Sequence, residues 1–122
     1  MPSIQLAFLA LAVHDVDWAV GFYQGLLGQS PQPYQPGRYG EFHLPGLRLA
    51  LFRPQDSQVA EFNASTSGSM SLCLEVADLE SAIAHLTRLG YPPPGAILTA
   101  SHGREIYAYD PDGNRLILHV TE

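Results

Sequence analysis

The sequence contains no lysine: all six of its basic residues are arginine. That removes Schiff-base and pyridoxal-phosphate chemistry and a phosphate loop of the Gly-Lys-Ser/Thr type. Cysteine occurs once, as Cys73, so neither an internal disulfide nor a cysteine-rich zinc site can form. Twelve Asp and Glu outnumber the arginines and give a net charge of −6. Such a chain repels a phosphate backbone, so no nucleic-acid partner is expected. No apolar run reaches membrane-spanning length, and Met1-Pro2-Ser3-Ile4-Gln5 has no charged region before its apolar stretch. The expectation is a cytoplasmic chain with no membrane partner. What is present, 46% hydrophobic and 15% charged residues over 122 positions, suits one ordinary globular domain across 1–122. A chain of this size buries roughly two-thirds of its unfolded surface without covalent staples.

An internal repeat organises that domain. Val13-His14-Asp15-Val16-Asp17-Trp18-Ala19-Val20 matches Val76-Ala77-Asp78-Leu79-Glu80-Ser81-Ala82-Ile83 at an offset of 63. Leu27-Gly28 matches Leu89-Gly90 at 62, Glu41-Phe42-His43 matches Glu105-Ile106-Tyr107 at 64, and Gly46 to Leu51 matches Gly113 to Leu118 at 67. The last drift is read as a turn three residues longer in the second half, Asp110-Pro111-Asp112-Gly113. Two equivalent modules follow: one at 1–55, a link at 56–69, and a second at 70–122.

Each module reads as strand, helix, then strands. Residues 4–13 are apolar and partly alternating, as in a buried strand. Asp15 or Asp17 can cap a helix by accepting from a free first-turn amide. Val16, Ala19, Val20, Tyr23 and Leu27 recur at helical spacing, and Gly28 is a fitting stop. In the second module, strand 70–76 leads to Asp78. Leu79, Ala82, Ile83, Leu86 and Leu89 then form one apolar face, ended by Gly90 and Pro92-Pro93-Pro94. Short strands are expected at 39–44, 47–53, 97–100, 104–109 and 115–120. Asp110-Pro111-Asp112-Gly113-Asn114 is a hairpin turn. The stretch 54–69, rich in Ser, Gln, Asn and Thr, is the link and can also cover a site.

Several residues have a structural and a functional reading. Cys73 has no local base or positive charge to make it a thiolate, so it reads as a small buried hydrophobe. His14, His85 and His102 read as surface residues whose spacing forms no metal cluster. Trp18 suits a core, a dimer contact or a stacking group.

The ordered set from Val13-His14-Asp15-Val16 through Gly21-Phe22-Tyr23 and Leu26-Leu27-Gly28 resembles the vicinal oxygen chelate superfamily. Leu74 to Leu79, Leu89-Gly90 and Asp110 to Leu116 extend the likeness over nearly the whole chain. That superfamily includes glyoxalase I, bleomycin-resistance proteins, extradiol dioxygenases and fosfomycin-resistance thiol transferases. The resemblance implies an α+β (α/β) fold of two tandem βαβββ modules forming a cup-shaped mixed sheet, within a homodimer. It also implies four metal-ligand positions, which fall on Phe8, Ala50, Ser71 and Ile117; the repeat agrees, pairing Phe8 with Ser71 and Ala50 with Ile117. None is a usual ligand for zinc, iron or manganese. A shift of one at the second or fourth position offers only Leu49, Leu51, Leu116 or Leu118. No metal and no cofactor are therefore expected.

If those four positions face inward, period-2 alternation places Phe8, Ala10 and Ala12 beside Ser71, Cys73 and Glu75 in the cup. His43 and its repeat mate Tyr107, Glu41 with Glu105, and Phe52 with His119 join them, with Arg48 and Arg115 nearer the strand ends. His119 reads either as a general base or as a histidine held by a structural hydrogen bond. Tyr107 can donate to a ligand oxygen. Glu75 and Glu105 are either cation-attracting or rim residues, and Arg48 either binds an anion or lies along an edge. The expected function is metal-independent binding of a small-molecule ligand, by sequestration of the bleomycin-resistance kind. The alternative is a lyase, isomerase or thiol transferase that uses a displaced metal on His43, Glu105 and His119, or none.

Overall fold

The computed structural model describes residues 3–63, 68–100 and 103–122. The chain divides into two compact units, Met1–Ala64 and Ser65–Glu122. The first contains β1 (Leu9–Ala12), α1 (Val16–Leu27), β2 (Tyr34–Gln35), β3 (Tyr39–Leu44) and β4 (Leu47–Phe52). A 3-10 turn at Asp56–Gln58 and α2 (Val59–Phe62) follow. The second contains β5 (Leu72–Glu75), α3 (Leu79–Leu89), β6 (Leu98–Ala100), β7 (Gly103–Tyr109) and β8 (Arg115–Thr121). Each unit forms one four-stranded mixed sheet, ordered β1-β4-β3-β2 and β5-β8-β7-β6. The first and last long strands of each pair in parallel, and the rest are antiparallel. The architecture is α+β, two βαβββ modules in tandem.

The two long helices, α1 and α3, begin and end on the residues that the sequence singles out. The Trp18 amide donates to Asp15 Oδ1 at 3.0 Å and the Ser81 amide to Asp78 Oδ1 at 3.1 Å, so each aspartate satisfies an otherwise orphaned first-turn donor. Gly28 and Gly90 close the helices at φ +69° and +96°, a left-handed conformation that a Cβ would strain. Between these ends, Val16, Ala19, Val20, Phe22 and Tyr23 of α1 are buried with Phe42, Leu49 and Leu51 of the first sheet. Close packing is visible at Gly40, where an added Cβ would sit 2.7 Å from Val20 Cγ2. In the second unit Leu79 and Leu86 of α3 are buried with Leu72, Ile106, Ala108, Leu116 and Leu118.

Three expectations need correction. The first strand is shorter than 4–13, because β4 pairs with it only from Leu49 to Phe52; Ile4, Leu6 and Phe8 lie before the ladder and are exposed. The link contains a short helix, which no periodicity announced; Phe62 at its end lies edge-on against Phe52 with ring centroids 5.4 Å apart. The repeat offset in the third strand is 66 and not 64. Glu41 lies opposite Ala50 while Tyr107 lies opposite Ile117, so Glu41 corresponds to Tyr107, and His43 to Tyr109. Counted between the paired residues His43 and Arg48, and Tyr109 and Arg115, the second turn is one residue longer.

Candidate functional site

Strand alternation gives each sheet one face covered by its long helix and one helix-free face, free of that long helix although α2 touches its edge in the first unit through the Phe52–Phe62 contact. Leu49, Leu51 and Phe42 point to α1, so Ala10, Ala12, Arg48, Ala50, Phe52, Glu41 and His43 share the other face. By the same register Cys73, Glu75, Arg115, Ile117, His119, Glu105 and Tyr107 share the helix-free face of the second sheet. They fall into rows across the strands. Ala10, Ala50 and Glu41 form one row, and Cys73, Ile117 and Tyr107 form its counterpart. Ala12, Phe52 and Tyr39 form the next, matched by Glu75, His119 and Glu105.

On the first face Glu41 is the centre of a polar network. Tyr39 Oη donates to Glu41 Oε2 at 2.7 Å, His43 Nε2 lies 2.9 Å from Oε1, and Arg48 Nη1 lies 3.7 Å from Oε1. The Tyr39 hydroxyl, and after it His43 and Arg48, hold the Glu41 carboxyl below the ordinary carboxylate range against the opposing effect of burial. Burial, followed by the bond to Glu41 and its charge, pushes the Tyr39 phenol up to about 12. Tyr39 was not singled out in the sequence, although its parity with Glu41 and His43 would have found it.

This network makes stability pH-dependent with a defined sign. Glu41 titrates lower when folded than unfolded, so its contribution is complete above the unfolded carboxylate pKa and is lost as pH falls through the folded one. Tyr39 titrates higher when folded, so its contribution is complete below pH 10.0 and is lost as pH rises toward about 12. Urea unfolding of Glu41→Gln is expected to show a shallower loss of stability than the parent below about pH 5. An unchanged acid limb would show that Glu41 is not coupled to folding.

On the second face Glu75 and His119 form a dyad. His119 Nδ1 lies 2.7 Å from Glu75 Oε1, while the Thr121 hydroxyl and amide donate to Glu75 Oε2 at 2.6 and 2.8 Å. Thr121 first and His119 second hold the Glu75 carboxyl below its usual range. With Nδ1 turned to the carboxylate, the neutral imidazole carries its proton there and leaves Nε2 as an acceptor. Nε2 has no partner among the described residues. Glu75 supplies the partner that His119 lacks in the sequence, because the parallel β5–β8 register brings the two side by side across 44 residues.

Ser71 Oγ accepts from Arg115 Nη1 at 3.1 Å. Arg48 and His43 are directly opposite each other at the hairpin end of the first sheet. Tyr107 is 40% exposed, and Phe8 is 54% exposed just ahead of β1. Cys73 is exposed and not buried, because no helix covers its face within the unit. His14 is exposed as expected; His85 is half-buried within 3.3 Å of Arg88 Nη2; His102 lies outside the described residues. Trp18 is 63% exposed.

The four positions that the sequence resemblance assigns to metal ligands, Phe8, Ala50, Ser71 and Ile117, hold a phenyl ring, a methyl group, a hydroxyl already bonded to Arg115, and an isoleucine. These groups do not fit a divalent metal, whose sites need imidazole, carboxylate or thiolate donors. Among the described residues no group of three or more His, Cys, Asp or Glu gathers to replace them. Two cavities, both open to the surface, lie in the first unit, with about 200 and about 700 Å³ of accessible space. Their walls belong to the ends of β1 and β4, the β2–β3 turn and α2, so apart from Ala12 and Tyr39 they do not coincide with the rows above.

Comparison with known proteins agrees with this architecture. Residues 5–118 match the model of the Glyoxalase/Bleomycin resistance protein/Dioxygenase superfamily, and the chain belongs to that superfamily. Among solved structures it is similar to a glyoxalase-related enzyme from Fulvimarina pelagi, at 24% identity and TM-score 0.77, covering 96% of this chain and 88% of that one. It is also similar to lactoylglutathione lyase from Agrobacterium tumefaciens, at 23% identity and TM-score 0.72, covering 98% and 96%. A third is a glyoxalase / bleomycin resistance protein from Catenulispora acidiphila, at 23% identity and TM-score 0.69, covering 95% and 97%. At these identities the likeness is one of fold. No curated protein matches the chain. No helix among the described residues is long and apolar enough to cross a membrane.

Proposed function

We propose that the chain is a cytoplasmic, homodimeric small-molecule-binding protein of the glyoxalase/bleomycin-resistance type, which sequesters its ligand on the helix-free sheet faces without a metal. The observation that carries this reading is the donor chemistry at Phe8, Ala50, Ser71 and Ile117: the fold is kept while its usual ligand positions hold groups that do not coordinate. In their place the faces carry a few polar groups over an apolar floor, the usual composition of a small-molecule site. Glu41 and Glu75, both held toward the ionised form, favour a cationic group on an otherwise apolar ligand. Phe8, Phe52 and Trp18 offer rings for stacking, and His43 and Tyr107 offer groups to orient what stacks. The exposure of Phe8 and Trp18 within one chain supports their being covered by a ligand or a second copy.

A thermal-shift screen of aromatic and cationic compounds, run on protein purified without chelator, tests this. Stabilisation by a subset of cationic aromatic compounds is expected, with less than one-tenth equivalent of metal per chain (roughly, as an operational threshold for adventitious metal). Stoichiometric zinc, nickel or manganese would overturn the reading, as would an absence of stabilisation by every compound.

One observation favours a second reading, a lyase, isomerase or thiol transferase. The Glu75–His119 dyad is built as a general base, with an oriented imidazole whose Nε2 is open. Under that reading His119→Gln removes activity while leaving ligand-induced stabilisation in place. If it removes both or neither, His119 is not the base.

A further inference from the structure

Four of the six arginines have side-chain partners. Arg48 pairs with Glu41, Arg104 with Glu80 and Glu122, Arg88 with His85, and Arg115 with Ser71 Oγ and the Gly68 carbonyl. Arg38 and Arg53 differ. The Arg53 amide donates to the Arg38 carbonyl at 3.0 Å, continuing the β3–β4 register by one step, so the two arginines stand directly opposite each other. Like charges in that position repel and destabilise the pair. Among the described residues neither guanidinium has a hydrogen-bond or ion-pair partner. In a chain with twice as many acidic as basic groups, two exposed arginines left facing each other break a local rule, and such breaks are expected at functional sites.

Both arginines line the cavity of about 700 Å³, together with Gln35, Gln55 and Asp56. Arg53 and Pro54 also form part of the wall of the cavity of about 200 Å³, whose other surfaces are the mainly apolar Ala12, Val13, Val59 and Phe62 with His14 and Asn63. The polar and apolar spaces therefore adjoin at Arg53. An apolar cavity of ~150 Å³ holds one benzene ring, so the smaller space suits a single ring or a short branched chain.

We propose that Arg38 and Arg53 bind the phosphate of a small aryl or alkyl phosphate monoester, with its apolar group in the cavity beside Val59 and Phe62. Two guanidinium forks present more donors than one carboxylate can accept, whereas a phosphate offers three terminal oxygens and up to two negative charges. Its binding would also relieve the repulsion between the two side chains. Asp56 lines the same cavity and opposes the anion, so it lowers affinity without abolishing the site. This site lies at the end of the first sheet, and its existence does not depend on the function proposed for the helix-free faces.

Calorimetric and thermal-shift titrations of the full chain with inorganic phosphate, phenyl phosphate and benzoate, at constant ionic strength set with chloride, test the proposal. Saturable binding is expected for both phosphates, with phenyl phosphate at least about tenfold tighter than inorganic phosphate and benzoate weakest. Arg38→Gln and Arg53→Gln are each expected to weaken phosphate about tenfold or more while raising the melting temperature of the unliganded protein, because the repulsion is gone. Asp56→Asn is expected to tighten phosphate. Phosphate acting no differently from chloride, or arginine variants that bind phosphate as the parent does, would overturn the site. Equal affinities for inorganic and phenyl phosphate would overturn the role of the apolar cavity. A loss of unliganded stability in all three variants would instead identify Asp56 as the arginines' own partner and overturn the proposal.

Discussion

Replacing Phe42 by alanine is expected to destabilise the protein by about 3–5 kcal/mol, read as a lower urea midpoint at unchanged slope. Phe42 is fully buried, and its ring lies 6.4 Å from that of Tyr23, which in turn meets Phe22 edge-on at 5.0 Å. Truncation removes the transfer energy of the ring and leaves a cavity bounded by a helix and a sheet that cannot both move inward. Gly40, two residues away on the same strand and face, already lets Val20 approach to where a side chain would stand, so there is little slack to collapse. An exposed position on the same helix, Gln24→Ala, is expected to change stability by no more than about 0.5 kcal/mol. A Phe42→Ala loss below about 1 kcal/mol would mean that the first unit's core is not packed as described.

The same residue shows what the sequence made legible. Helix ends were readable because a cap is local: Asp15, Asp78, Gly28 and Gly90 act on groups within four residues of themselves. Faces were readable because strand alternation has a period of two. Even the mistaken third-strand offset left them intact: matching Glu41-Phe42-His43 to Glu105-Ile106-Tyr107 errs by two residues, and a shift of two returns every side chain to its own face. A glutamate in each half favours the shorter offset, whereas the ladder is set by Phe42 and Ala108, which must both meet the core against Leu49 and Leu116.

Partnerships were not legible. Glu75 and His119 are far apart in the sequence and meet only through a parallel pairing whose register no local pattern states. The short helix at Val59–Phe62 is too brief to carry a periodic signal and is accompanied by the Phe52–Phe62 contact. The Arg38–Arg53 opposition is likewise a property of the hairpin, whose turn at Pro45-Gly46 fixes which residues face each other.

The second large effect is expected at the other hairpin. Asp110 is 3% exposed, and its carboxylate accepts from the Asp112 and Asn114 amides and from Asn114 Nδ2, each at 2.9 Å. Its backbone closes the turn as well, accepting from the Gly113 amide at 2.9 Å and donating to the Asn114 carbonyl at 3.0 Å. Asp110→Ala leaves two backbone amides and one side-chain amide, all on half-buried residues, without their acceptor. A loss of about 1–3 kcal/mol is expected, since three charge-assisted bonds are lost and their half-buried donors are only partly rehydrated. Asp110→Asn should lose less, because one oxygen still accepts and the Asn114 amide can turn its own oxygen toward the new NH2 group. The turn also sets the spacing of Tyr109 and Arg115, which lie opposite each other at its base. Arg115 reaches from there to Ser71 Oγ, whose position the sequence resemblance assigns to a metal ligand. Under the proposed binding function, ligand stabilisation through the second sheet face should fall in Asp110→Ala by more than its loss of global stability explains, and return in Asp110→Asn. If ligand response survives in Asp110→Ala at a temperature where the variant is fully folded, the turn does not position that face, and Arg115 is held by Ser71 and the Gly68 carbonyl alone.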